Sequence, residues 1–90
     1  MEPIEYPITD ELDLHTFRPG EVGDLLNDYL AACLEKEIFS VRIIHGKGQG
    51  ILKKRVSTIL ERHPLVESFS DAPADAGGWG ATRVWLKKER

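Results

Sequence analysis

The chain has a single cysteine, Cys33, so no internal disulfide can staple it, and it suits a reducing compartment. No apolar run approaches the ~20 residues needed to cross a bilayer, so no membrane span is expected. The opening Met1-Glu2-Pro3-Ile4-Glu5 carries acid where a secretory signal carries base, and the sequence reads as intracellular and cytoplasmic. Internal repeats and low-complexity tracts are missing, and 90 residues support one domain with one modest core. Two phosphate-binding patterns are also absent: the Walker GxxxxGK[ST] and the dinucleotide GxGxxG spacing. Zinc lacks ligands, because the cysteine stands alone and His63 sits beside Pro64 at the far end of its helix. A net charge of −3 argues against coating duplex nucleic acid by bulk charge.

What is present is patterned. With 41% hydrophobic and 30% charged residues, the composition is that of a soluble globular domain. Residues 1–37 hold ten acids and two bases, whereas residues 38–62 hold six bases and one acid. The last nine residues, 82–90, add four bases against one acid. Positive charge therefore gathers in the second half, around a glycine-rich turn and the final strand.

Residues 1–9, with Pro3 and Pro7, read as an extended N-terminal arm, and residues 10–90 as one domain. Glu11 to His15 alternates as a strand, with Leu12 and Leu14 on one face and Asp13 and His15 on the other. Pro19 suits the first turn of a helix, in which Val22, Leu25, Leu26, Tyr29, Leu30, Cys33 and Leu34 form a core-facing stripe. Val41 to Ile44 reads as an inner strand ending at His45. A second helix follows, with Leu52, Val56, Ile59 and Leu60 on one face, and Pro64 stops it. Leu65 to Ser70 reads as a third strand, residues 71–81 as a loop, and Thr82 to Leu86 as a fourth strand. The order β-α-β-α-β-β predicts an α/β sandwich with parallel crossovers and both helices on one face of the sheet.

Ligands in such sheets collect at the carboxyl ends of strands, where helices begin. Two strand ends here carry a histidine, His15 and His45. The turn His45-Gly46-Lys47-Gly48-Gln49-Gly50 can bring backbone N–H groups to an anion at a helix start; the alternative is a tight turn needing positive φ. Asp13 and His15, two apart on a strand, form a pair suited to acid–base work, or else an ordinary polar sheet face. His45 is read equally as a proton carrier and as a satisfied structural histidine. Arg83, Trp85 and Lys87 share one face of the last strand, either as a platform for a base and its phosphates or packed under the arm or a second subunit. Trp79, in the glycine loop, either stacks on a ligand or folds back as a lid. Magnesium or manganese would find one carboxylate, Asp13, in this set, so the need for a metal stays open.

Three segments resemble the small MutS-related (Smr) domain family. They are Leu12-Asp13-Leu14-His15-Thr16, His45-Gly46-Lys47-Gly48-Gln49-Gly50 and Gly77-Gly78-Trp79-Gly80-Ala81-Thr82, matching LDLHG, HGKGxG and GGxGxT. The resemblance implies a two-layer α+β sandwich with a four-stranded mixed sheet, like the C-terminal domain of translation initiation factor three. It also implies nucleic-acid binding and, in many members, an endonuclease that nicks DNA or cleaves RNA. Family roles carry over to Asp13 and His15 for cutting, and to His45, Gly46, Lys47, Gly48 and Gly50 for binding or catalysis. Thr16 departs from the pattern, standing where the family has glycine, and this puts cleavage in more doubt than binding. Cleavage of RNA is favoured slightly over DNA, since a 2′-hydroxyl supplies the nucleophile without an activated water. The competing expectation is a non-catalytic module docking on structured RNA, a ribosome or branched DNA; a weaker third is a protein adaptor.

Overall fold

A computed structural model describes residues 8–46, 50–73 and 80–88. Six elements follow in chain order: β1 (Glu11–Asp13), α1 (Pro19–Glu35), β2 (Ser40–Ile44), α2 (Ile51–Arg62), β3 (Val66–Asp71) and β4 (Ala81–Leu86). They form a two-layer sandwich of two helices against one four-stranded mixed sheet. Among the described residues no helix is long and apolar enough to cross a membrane.

Helix α1 forms where the apolar stripe predicts it. Pro19 occupies its first turn, and the Arg18 N–H donates to the Glu21 carboxylate at 3.0 Å. Val22, Leu26, Tyr29, Leu30 and Cys33 are buried along its inner face. The helix ends in a Schellman motif, with Ile38 N–H donating to Cys33 O at 2.8 Å and Glu37 N–H to Leu34 O at 3.0 Å. This puts Glu37 at φ 61°, a left-handed position usually held by glycine. Helix α2 buries Val56 and Leu60 and stops before Pro64.

The sheet order is β1-β2-β4-β3. Strands β1 and β2 run parallel, as the helical crossover requires, and β4 is antiparallel to both β2 and β3. The last strand in sequence thus lies in the interior of the sheet, and no local pattern announces this. Strand β4 carries Val84 and Leu86 fully inside, whereas edge strands β1 and β3 carry Glu11, Asp13, Glu67 and Asp71, charges that discourage pairing with other chains. Val41, Ile43, Val84 and Leu86 meet both helices in one core, and no described element covers the other sheet face. Ile8 packs against this core, and the Tyr29 hydroxyl donates to the Thr9 carbonyl, so the end of the expected arm is attached to the domain.

Candidate functional site

Parallel pairing brings the ends of β1 and β2 together. Leu14 N–H donates to Ile44 O at 2.7 Å, and beyond this bond both chains turn toward the helices. At the end of β1 the Asp13 carboxylate folds over the next turn. Its Oδ1 accepts the backbone N–H of His15 at 3.0 Å and lies 2.6 Å from His15 Nδ1. A carboxylate only accepts, so Nδ1 carries a proton, and in the neutral ring Nε2 keeps its lone pair. His15, bonded through side chain and backbone, holds the Asp13 carboxyl below the usual carboxylate range. Both groups face solvent, His15 at 59% and Asp13 at 51% side-chain exposure.

His45, at the end of β2, is in a different state. Strand alternation sends it inward after Val41 and Ile43, and it is 4% exposed. Its Nε2 lies 2.8 Å from the hydroxyl of Thr82 on β4, and Nδ1 lies 3.2 Å from the Gly46 carbonyl. Since that carbonyl only accepts, Nδ1 donates to it and Nε2 accepts from Thr82. Burial pushes the His45 ring below its ordinary pKa, so it is held neutral. The His45 and Gly46 N–H groups both donate to the Gly80 carbonyl, at 3.0 and 2.9 Å, clipping this corner to the chain entering β4.

Gly46 takes φ +81°, and a Cβ added there would lie 3.7 Å from the Cβ of His15. Gly50 takes φ +80° as the N-cap of α2 and, lacking a side chain, cannot cap the first N–H groups of that helix. Its carbonyl accepts from Lys54 N–H at 2.9 Å to start the helix. His15, His45, Gly46, Gly50, Leu52 and Lys53 line a cavity of about 330 Å³. Lys53 also pairs with Asp71 at 3.1 Å. The cavity therefore combines a proton-carrying pair at its rim, a helix start and an ammonium group, a set suited to an anion.

Asp13, His15, His45, Gly46 and Gly50 are thus brought to one corner. Lys47, Gly48 and Trp79 lie outside the described residues. Arg83 and Trp85 lie elsewhere, on the open sheet face, with the Arg83 guanidinium 5.5 Å from the Trp85 ring centre and donating to Ser40 Oγ at 3.1 Å. At Thr16 the backbone does not take positive φ, since Glu37 is the one non-glycine residue that does so among the described residues. Threonine therefore fits this turn without strain. Among the described residues, no three His, Cys, Asp or Glu side chains cluster to hold a metal ion, and His63 is turned away to Asn27 at 2.8 Å. Two participants were not singled out from sequence. Thr82 is the last letter of GGxGxT, but its bond to His45 spans 37 positions; Lys53 is one of three consecutive cations that no motif marks.

A mixed sheet under two helices, with histidine-bearing strand ends facing a glycine-capped helix, defines a small α/β sandwich with a polar site at its strand ends. Residues 12–87 match the Smr domain, and the chain belongs to the Smr domain family. It is 48% identical over 75 residues to endonuclease MutS2 of Helicobacter pylori, covering 83% of this chain and 10% of that protein. It is 40% identical over 75 residues to ribosome rescue factor SmrB of Shewanella baltica, covering 83% of this chain and 43% of that protein. The chain therefore spans about a tenth and less than half of these relatives. The Smr domain of Thermus thermophilus MutS2 superposes with TM-score 0.84 at 34% identity, covering 88% of this chain and 99% of that one. YdaL, a stand-alone small MutS-related protein from Escherichia coli, superposes with TM-score 0.83 at 28% identity over 93% of this chain and 69% of that one.

Proposed function

We propose that this Smr domain binds nucleic acid at the 330 Å³ cavity and cleaves a phosphodiester there. The observation that carries the reading is the 2.6 Å contact between His15 Nδ1 and Asp13, which leaves Nε2 as the proton acceptor at the cavity rim. The scissile phosphate sits against the start of α2, where the helix dipole and Lys53 stabilise the charge that grows on it. On RNA, His15 Nε2 takes the 2′-hydroxyl proton as that oxygen attacks phosphorus; the P–O5′ bond breaks and the 5′ oxygen leaves with a proton from water. Products are a 2′,3′-cyclic phosphate and a 5′-hydroxyl. On DNA a water must be activated instead, so RNA is the favoured substrate. No step runs through a metal ion. His45, with both ring nitrogens engaged, shapes the turn and moves no proton. The names of the MutS2 and SmrB relatives support a nucleic-acid target, and the latter a ribosomal partner.

A second reading, docking without cutting, is favoured by the same engagement of His45, which leaves one histidine where two were expected. Incubation with RNA and DNA, with and without chelator, separates the two. Cyclic-phosphate ends on cut RNA in the presence of chelator support the proposal. Intact strands that remain bound select the docking module.

A further inference from the structure

The face of the sheet away from the helices is in register row by row. Glu11, Arg42, Arg83 and Ser70 lie side by side across all four strands, and Ser40, Trp85 and Ser68 form the next row. Two guanidinium groups therefore stand on the two central strands, one row from an indole that is 37% exposed. The neighbours of Trp85 in its row are both serines, too small to cover an aromatic ring. Arg83 is held by neutral partners, the Ser40 hydroxyl and the Trp85 ring, and among the described residues no carboxylate pairs with it. An exposed tryptophan beside a cation that no described carboxylate pairs with suits a base and its phosphate.

The same face leads to the proposed cleavage corner. Asp13 lies on it, two residues beyond Glu11 on β1, a step of about 6.7 Å. A hollow of about 170 Å³ between β1, β2 and β4 is lined by Asp10, Glu11, Ser40, Arg42 and Arg83. The carboxylates on its β1 side repel phosphate, which leaves the Arg83 side as the one suited to a phosphate. A stacked base must be unpaired, because the paired bases of a duplex hide both ring faces.

We propose that the sheet face away from the helices is a platform for unpaired nucleotides on the approach to the scissile phosphate, with Arg83 one row and Trp85 two rows from Asp13, Trp85 stacking on a base and Arg83 contacting a phosphate. This rests on the reading of the chain as a nucleic-acid-cleaving Smr domain and names its substrate class as single strands. The selectivity arises because only an unpaired strand can occupy platform and cavity together.

The test measures binding of labelled oligouridine, oligothymidine and a duplex of equal length, in a His15→Ala background so that strands stay intact. Single strands are expected to bind more tightly than duplex, with the uridine and thymidine arms reporting any preference for RNA. Trp85→Ala should weaken single-strand binding about ten-fold or more, while duplex binding changes less than about two-fold. Trp85→Phe, which keeps a stacking ring, should restore most of the loss, which a folding defect would not allow. Equal losses for single strands and duplex, or no loss for either, overturn the platform. A chain that binds no oligonucleotide overturns both readings. A chain with His15 intact that binds single strands through Trp85 without cutting them overturns the nuclease reading and supports this one.

Discussion

His15 Nδ1 lies 2.6 Å from Asp13 in open solvent, whereas His45 is buried between the Thr82 hydroxyl and the Gly46 carbonyl. The two rings line one cavity in different surroundings. One retains an unbonded nitrogen; the other holds the corner from which the glycine turn departs. Asp13→Asn removes the charge that fixes the His15 tautomer, so cleavage should fall roughly 10²–10⁴-fold in single-turnover assays. Because both groups are exposed, the same variant should unfold within about 0.5 kcal/mol of the parent in urea. Thr82→Val should behave in the opposite way. It leaves a buried imidazole nitrogen without its donor and should cost about 1–3 kcal/mol in the same titration, while Thr82→Ser recovers most of that. A Thr82→Val protein as stable as the parent would mean that the 2.8 Å contact contributes nothing.

At the scale of elements, the helix boundaries follow from local chemistry. Pro19 and Pro64 bracket the two helices, and the apolar spacing within each matches the buried face. The end of α1 is less well served, since its Schellman turn holds Glu37 at φ 61°. Relief of left-handed strain outweighs the entropy that glycine adds to the unfolded chain, so Glu37→Gly should stabilise the protein by about 0.5–1 kcal/mol, read as a higher urea midpoint. The strands were read with shifted ends. Asp71 and Ala81 belong to β3 and β4 instead of the loop between them, and β1 stops at Asp13, because ladder bonds to a partner decide where a strand ends. His45, whose direction the sequence left open at a strand end, keeps the alternation of β2 and faces inward, since the bonds of His45 and Gly46 N–H to Gly80 prolong the β2 geometry by a residue.

For the molecule as a whole, acid is the informative stress. Burial holds both His45 and His63 below their ordinary pKa, and Leu65 N–H donating to His63 Nδ1 at 3.2 Å further requires that nitrogen to stay unprotonated. The unfolded chain takes up these protons as pH falls through about 6.5, while the folded chain resists, so the stability they contribute at neutral pH is lost in acid. The melting temperature should fall between about pH 7.5 and about pH 5, and a flat profile would show that both rings protonate as readily folded as unfolded. Local pattern in the chain was enough to establish six elements in order, the inner faces of the helices, and the three motifs that resemble the family, because proline, glycine and apolar spacing act within a turn or two. Tertiary structure alone decided that β4 enters between β2 and β3, that Thr82 reaches His45, and that Arg42 joins Arg83 and Trp85 on a face no described element covers. The contacts of β4 with β2 join residues about forty positions apart, and only the register of hydrogen-bonded strands brings such residues together.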